Sequence, residues 1–343
     1  MKEAMFYGQV KNSVKCGLCA RNCVITEGQV GFCRVRKNIK GKLYSLVYGK
    51  LVSMAVDPIE KKPLFMFAPG SQTLSISTVG CNFKCNFCCN WQISQEWDTV
   101  AGEEYTPEQV VKLAKEQGTQ GISYTYNEPT VFYEFAYDTA KLASIKGLYN
   151  VFVTNGYTSP EAIRKISGYL DAVTVDFKGS ANPEFYRKFS SVPKVEPIFD
   201  ALLAYKRNKV YTEITNMIVP NFGESIEDLR KLCKWIVDNL GPETPFHLIQ
   251  FFPTFKMSGL PRTPVETMEK AYNTAKDEGL KHVFLGNVHG HKYENTYCSN
   301  CGNLLIERTI MGVVKYALKD DSKCPKCSEK IPVFGKKWMR KHS

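Results

Sequence analysis

The amino-acid sequence predicts an α/β fold: a partial (β/α)6-type TIM barrel with a small cysteine-rich part on either side. Between residues 72 and 288, short apolar runs alternate with longer helical patterns, which is typical of repeated βα units around a parallel sheet. Four cysteines precede this region, and two C-x2-C pairs follow it. We therefore predict an N-terminal four-cysteine metal-binding module and lead-in at 1–70, a barrel at 71–290, and a C-terminal zinc ribbon with a basic tail at 291–343.

The barrel strands are predicted where apolar runs are bounded by turn residues, at 73–79, 121–125, 150–154, 172–177, 210–219, 246–252 and 282–285. The helices are predicted between them, at 107–116, 130–146, 160–167, 195–207, 226–239 and 264–277. Several helices begin where a Ser or Thr cap precedes a proline, as at Ser159-Pro160. Six or seven such units make a partial or closed barrel, whose active-site residues are expected on the loops after the strands.

The composition limits the compartments and the partners that are expected for the protein. The 343-residue chain has 13 cysteines, and its N-terminal sequence lacks the apolar core of a secretory signal. We therefore expect metal ligands in a reducing cytoplasm rather than disulfides, and no membrane partner. The formal net charge is +11, but thiolate metal sites would lower it to about +6. The basic excess therefore does not by itself indicate nucleic acid.

The central cysteines follow the first predicted barrel strand with the spacing C-x3-C-x2-C, at Cys81, Cys85 and Cys88. A cubane cluster normally takes four thiolates, so three of them can leave one iron open to a substrate or cofactor. A zinc knuckle or a set of reduced thiols is the alternative. Two adjacent cysteines rarely reach two corners of one cubane, so we predict that Cys89 is not a ligand. Phe87, directly before the last cysteine, is aromatic.

This motif resembles that of the radical S-adenosylmethionine (SAM) superfamily. With the flanking modules, the chain is similar to the radical SAM proteins of the AmmeMemoRadiSam system, relatives of the pyruvate formate-lyase activating enzymes. The resemblance implies a [4Fe-4S] cluster on Cys81, Cys85 and Cys88, whose open iron chelates the methionine part of SAM. It further implies reductive cleavage of SAM to a 5'-deoxyadenosyl radical, which abstracts hydrogen from a substrate.

The resemblance also implies SAM-binding residues on the loops after the first four strands, namely Phe87, Glu128, Thr154, Asn155, Asp176 and Lys178. Glu128 belongs to a Glu-Pro run that binds the amino group of SAM in this family; a helix-capping carboxylate is the alternative. A lysine such as Lys178 can supply a point charge to the carboxylate of SAM. Strand alternation places His247 on the interior face of the sixth strand, as a cofactor contact or as a core histidine.

The outer cysteine groups are expected to be closed metal sites. Cys16, Cys19, Cys23 and Cys33 have the spacing C-x2-C-x3-C-x9-C, which suits either zinc or an auxiliary iron–sulfur cluster.

Cys298, Cys301, Cys324 and Cys327 form the two pairs of a zinc ribbon. The ribbon has too little core to fold alone, so its metal would supply folding energy. Cys233 is expected to be a buried thiol.

The sequence therefore predicts a radical SAM oxidoreductase that resembles the activating enzymes and acts on an unidentified macromolecule, with protein favoured. A ferredoxin or flavodoxin is the expected electron donor. Two alternatives remain open: radical modification of RNA, with the ribbon and basic tail as a docking surface, and a non-catalytic iron–sulfur or zinc interaction module.

Overall fold

The computed structural model describes residues 1–309, 312–335 and 337. The N-terminal part is built from short antiparallel strands: β1 (Lys2–Glu3), β2 (Tyr7–Val10), β3 (Ser13–Cys16), β4 (Val24–Thr26), β5 (Arg36–Ile39), β6 (Lys42–Ser45) and β7 (Lys50–Leu51). They pair in the orders β1-β6-β5 and β2-β3-β4, and β7 pairs with a later strand. The Cys16 N–H donates to the Cys23 carbonyl at 2.9 Å, which brings two of the four N-terminal cysteines together.

The central sheet begins with β8 (Ser53–Pro58), which runs antiparallel to β9 (Gln72–Ser77). The next strands are β10 (Glu103–Glu104), β11 (Gly121–Tyr124), β12 (Tyr149–Thr154), β13 (Ala172–Lys178), β14 (Tyr211–Ile218), β15 (Phe246–Gln250) and β16 (Val283–Gly286). β10 pairs with β7, and the others give the sheet order β16-β15-β14-β13-β12-β11-β9-β8, parallel from β9 to β16. The predicted α/β class and its parallel strands are confirmed. β8 was not predicted, because its run mixes polar residues with a proline and occupies the sheet edge, where proline is tolerated.

The helices lie between the strands: α1 (Trp91–Ser94), α2 (Pro107–Glu116), α3 (Tyr133–Ile145), α4 (Pro160–Ile166), α5 (Pro183–Ser190), α6 (Glu196–Arg207), α7 (Ile226–Asn239) and α8 (Val265–Asp277). The Thr106 and Ser159 hydroxyls cap α2 and α4 as expected, accepting N–H groups of the first turn. α5 was not predicted, although Asn182 before Pro183 is the same kind of start signal. Among the described residues, every helix is too short or too polar to span a bilayer.

The segment between β8 and β9 packs against the face of the sheet that lies away from the helices. On β13, Phe177 faces the helices and packs on Phe199 of α6, with ring centroids 5.2 Å apart. Residues an odd number apart lie on opposite faces, so Thr174 points to the other side, where its hydroxyl donates to the Lys62 carbonyl at 2.6 Å. Beside it on β14, the buried Glu213 carboxylate accepts three backbone N–H groups, from Phe65, Met66 and Phe67. This segment therefore fills part of the barrel interior.

The C-terminal part is an antiparallel sheet of β17 (Thr296–Tyr297), β18 (Leu304–Thr309) and β19 (Gly312–Tyr316). Its core residues form one cluster with Phe65, Met66 and Phe284 of the barrel region. Arg308 is buried and donates to the Phe65 carbonyl at 2.5 Å, and burial lowers the pKa of its guanidinium to about 10. The ribbon is thus packed onto the barrel. The predicted domain boundaries stay predictions, and most of the basic tail lies outside the described residues.

Candidate active site and metal centres

The central cysteine loop begins at a position that only glycine fits. Gly80 has φ +97°, and a Cβ there would lie 2.7 Å from Val35 Cγ1 and 3.0 Å from the Cys33 carbonyl oxygen. From the loop after β11, Asn127 Nδ2 donates to the Thr78 carbonyl at 2.6 Å and to the Gly80 carbonyl at 2.7 Å. The start of the loop is therefore fixed by the N-terminal module on one side and by the neighbouring strand on the other.

The loop carries the three predicted cluster ligands within eight residues, and all three are partly buried. Burial raises the pKa of the Cys81 thiol, and Cys85 and Cys88 raise it further; burial also raises the pKa of Cys85 to about 12. Thiols with such raised pKa values stay protonated at neutral pH. They become thiolates readily only when a metal centre binds them and displaces their protons. The Phe83 N–H points at Cys81 Sγ at 3.4 Å, and Asn155 Nδ2 lies 3.9 Å from the same sulfur. The donor set suits an iron–sulfur cluster.

The end of β13 brings a charged pair to these cysteines. Lys178 Nζ forms an ion pair with Asp176, whose other oxygen accepts the Thr215 hydroxyl. Burial acts to lower the pKa of the Lys178 ammonium, but Asp176, Cys85 and Cys89 outweigh it, and the net shift is upward. Lys178 therefore stays protonated next to the cluster loop, where it can hold an anionic group.

Glu128 is buried and has its hydrogen bonds within the protein. One oxygen accepts the Thr130 N–H at 3.0 Å, the Thr130 hydroxyl at 2.5 Å and the Thr154 hydroxyl at 2.8 Å. The other accepts the Asn155 N–H at 2.8 Å. Asn155 in turn donates to Asn82 Oδ1 at 2.7 Å, inside the cysteine loop. Glu128 thus caps the 3-10 turn Pro129–Phe132, the alternative raised from the sequence, and positions Asn155. Its contact with SAM stays a prediction.

Two other predicted residues have apolar or core partners. The buried Phe87 ring stacks on Phe185 of α5, with centroids 5.6 Å apart. His247 is fully buried; its Nε2 lies 2.7 Å from Glu213, and its ring stacks on Phe284 at 5.0 Å. The structure therefore packs Phe87 of the cysteine loop against α5 and gives His247 the core environment that was the alternative to a cofactor contact. A direct role for either in SAM binding stays a prediction.

The N-terminal cysteines converge from separate segments on one cavity, lined by Cys16, Cys19, Cys23 and Cys33. Burial raises the pKa of Cys19 to about 12 and that of Cys33 to about 11. These thiols also need a metal centre to become thiolates at neutral pH. A Cβ at Gly80 would lie 3.0 Å from the Cys33 carbonyl oxygen, so this group lies close to the central loop.

The ribbon cysteines form a compact group. Their four Sγ atoms all lie within 4.8 Å of one another, with Cys298 and Cys327 3.5 Å apart and Cys301 and Cys324 3.7 Å apart. Tetrahedral Zn–S bonds of about 2.3 Å place sulfur atoms about 3.8 Å apart. The ribbon therefore has the size of a single-ion site, as the paired spacing predicted.

A Cys324→Ser variant should lose the metal of the ribbon, because three thiolates and a hydroxyl bind zinc far more weakly than four thiolates. We expect metal analysis to show about one zinc fewer per chain with unchanged iron. Cys233→Ala, which removes a buried thiol from α7, is the matched control. Unchanged zinc in Cys324→Ser would contradict the assignment.

Sequence reasoning missed the residues that hold the central loop from outside, notably Asn127, Asn90 and Arg21. Asn90 Nδ2 donates to the Tyr126 carbonyl at 2.6 Å, and Arg21 Nε donates to the Asn82 carbonyl at 2.9 Å. The only available signal was that Asn127 follows a strand end beside Glu128. The other contacts join distant segments and have no spacing pattern.

Comparisons with known proteins agree on one family. The model of the radical SAM superfamily matches residues 75–236. An uncharacterized protein of Methanocaldococcus jannaschii is 47% identical over 336 residues, which cover 97% of this chain and 99% of that protein. The pyruvate formate-lyase-activating enzyme of Clostridium pasteurianum is 26% identical over 178 residues, covering 50% of this chain and 71% of that protein.

Among solved structures, a domain of a pyruvate-formate lyase-activating enzyme from Bacteroides vulgatus has 15% sequence identity and a TM-score of 0.43. The match covers 49% of this chain and 99% of that domain.

Proposed function

Because this chain belongs to the radical SAM superfamily, we propose that it is an enzyme that cleaves SAM reductively and removes a hydrogen atom from a protein substrate. The observation that supports this most directly is the meeting of Asn155, Asp176 and Lys178 at the loop of Cys81, Cys85 and Cys88. A cationic side chain, a carboxylate and an amide next to three thiols suit a zwitterionic cofactor held against a cluster.

When bound, the [4Fe-4S] cluster supplies the electron that splits the sulfonium of SAM, giving a 5'-deoxyadenosyl radical and methionine. The side chains of this protein would position SAM and shield the site from water. Lys178 would bind the carboxylate of SAM and Asp176 its amino group, as opposite charges of fixed geometry. Asn155, held by Glu128, would keep the cysteine loop in place. Phe87, packed on Phe185, would line the adenine side and exclude water.

The proposed substrate class rests on likeness alone. A relative of this chain is named as a pyruvate formate-lyase-activating enzyme, and another as a glycyl-radical enzyme activating enzyme. By analogy, the substrate is a protein, and a cytoplasmic ferredoxin or flavodoxin delivers the electron. The cluster loop does not determine which protein is the substrate, so residues outside this loop would select it.

The test is an anaerobic assay of the full chain, reconstituted with iron and sulfide and given SAM and dithionite. Release of 5'-deoxyadenosine and methionine is expected, and omission of dithionite should stop it. Cluster-loaded protein that yields neither product would favour a non-catalytic iron–sulfur module. Strongly salt-dependent binding of RNA, with turnover only in its presence, would favour RNA as the substrate instead.

A Glu128→Gln variant should bind SAM about 10- to 100-fold more weakly, because SAM binding would need Asn155 in place, and holding it there without the hydrogen bond to a charged group costs about 1.5–3 kcal/mol. The amide would direct a donor at one of the N–H or hydroxyl donors around Glu128, so Asn155 would no longer be held. Calorimetric titration of cluster-loaded protein with SAM measures the change. Glu103→Gln, at an exposed glutamate of β10, is the control. Equal affinities in the two variants would show that Glu128 does not position this site.

A further inference from the structure

The N-terminal cysteines are arranged differently from those of the ribbon. Cys16 ends β3, Cys23 directly precedes β4, and Cys19 and Cys33 lie in the loops. All four of them line one cavity. Among the described residues, only the ribbon has three or more ligand atoms all within 4.8 Å of one another. No three of the N-terminal sulfur atoms therefore lie as close together as the ribbon ligands do, or as the ligands of one tetrahedral zinc ion do.

Arg21 joins this group to the central loop. Its Nε donates to the Asn82 carbonyl at 2.9 Å, its Nη2 donates to the Ser191 carbonyl at 2.6 Å, and its guanidinium lies 3.8 Å from the centre of the Phe32 ring. Arg21 and Asn82 both line the cavity of the N-terminal cysteines. Arg21 therefore lies within electrostatic range of both cysteine groups.

Lys84 is a second cation between the two groups. Its ammonium is buried, and it has no hydrogen-bond partner among the described residues. Lys84 directly precedes Cys85 in the central loop, and its Nζ lies 5.8 Å from the centre of the Phe32 ring, which lines the cavity of the N-terminal cysteines. A buried ammonium without a partner is costly, so its position implies an anionic neighbour that the side chains alone do not supply.

We infer that Cys16, Cys19, Cys23 and Cys33 bind a second iron–sulfur cluster, and that Arg21 and Lys84 lie between it and the cluster at Cys81 as shared counter-charges. A [4Fe-4S]²⁺ core with four thiolates carries about −2, and one with three thiolates carries about −1. Zinc with four thiolates would also carry about −2, so the wider spacing of the sulfur atoms, and not the charge, favours the iron–sulfur cluster. The inference rests on the proposed function only for the cluster at Cys81.

Iron analysis tests the second cluster without relying on turnover. The triple variant Cys81→Ala/Cys85→Ala/Cys88→Ala, reconstituted anaerobically, should still hold about four iron and four sulfide per chain. It should give a reduced-cluster EPR signal that SAM does not alter. A variant without iron, but with about two zinc per chain, would overturn the inference. If the variant keeps its iron while the wild type yields no 5'-deoxyadenosine, the proposed function fails and this inference stands.

The shared cations are tested by redox titration of the wild-type chain and of Arg21→Gln and Lys84→Gln. Removing a nearby positive charge disfavours the reduced, more negative state, so both clusters should shift to lower potential in each variant. Lys188→Gln, at an exposed lysine of α5, should shift neither. If Arg21→Gln fails to load, Arg21→Lys should restore loading and potential. A shift confined to one cluster, or absent, would refute the sharing.

Discussion

Replacing Cys85 by alanine should abolish the release of 5'-deoxyadenosine from SAM. The other two cysteines cannot hold three corners of the cluster, so the electron would have no centre to come from. The ribbon lies apart with its own compact set of sulfur atoms, so zinc should be retained. Chromatographic detection of the nucleoside, together with iron and zinc analysis of the same sample, measures both outcomes.

Two variants serve as controls for this result. Cys233→Ala removes a fully buried thiol of α7 and should leave product formation unchanged. Cys89→Ala removes the exposed thiol next to the loop and should keep the cluster, because adjacent cysteines rarely reach two corners of one cubane. Loss of the cluster in Cys89→Ala, together with its retention in Cys85→Ala, would show that the ligand assignment is wrong.

A Glu134→Gln variant should lower the free energy of unfolding by about 3–5 kcal/mol, because it leaves a buried charge uncompensated. Arg36 of β5 contacts both oxygens of Glu134 of α3 at 2.5 and 2.6 Å, and the side chains are 2% and 1% exposed. The Met5 N–H also donates to this carboxylate, at 2.7 Å. Urea unfolding of the metal-loaded protein gives the difference.

The matched control lies on the same helix and contacts the same module. Lys2 and Asp138 form an ion pair at 2.5 Å, but their side chains are 45% and 32% exposed. Exposed pairs contribute about 0–1 kcal/mol, so Asp138→Asn should lower the free energy of unfolding by no more than that. Similar losses in the two variants would mean that burial of the Arg36–Glu134 pair does not govern its contribution.

The barrel was predictable because each βα unit carries local signals. Apolar runs and cap–proline starts at Thr106 and Ser159 marked elements within a few residues of their observed bounds. β8 escaped because an edge strand needs no apolar alternation, and its Pro58 argues against a central strand. α5 was missed although Asn182-Pro183 has the signal that identified α4.

The candidate site was predictable where its chemistry is local in sequence. The three central cysteines lie within eight residues, and the compact ribbon group follows from its paired spacing. The partners of Glu128 and His247 could not be anticipated, because Asn155 and Glu213 come from other strands and only the fold brings them near. The sequence also left open which metal the N-terminal cysteines bind, because their spacing suits zinc as well as an iron–sulfur cluster.

The close approach of Val35 and Cys33 to Gly80 has an evolutionary consequence. A side chain at that position would collide with the N-terminal module, so the module and the backbone conformation both constrain substitution there. Loss of the module would remove the collision, but the positive φ of Gly80 would still favour glycine in descendants with the barrel alone.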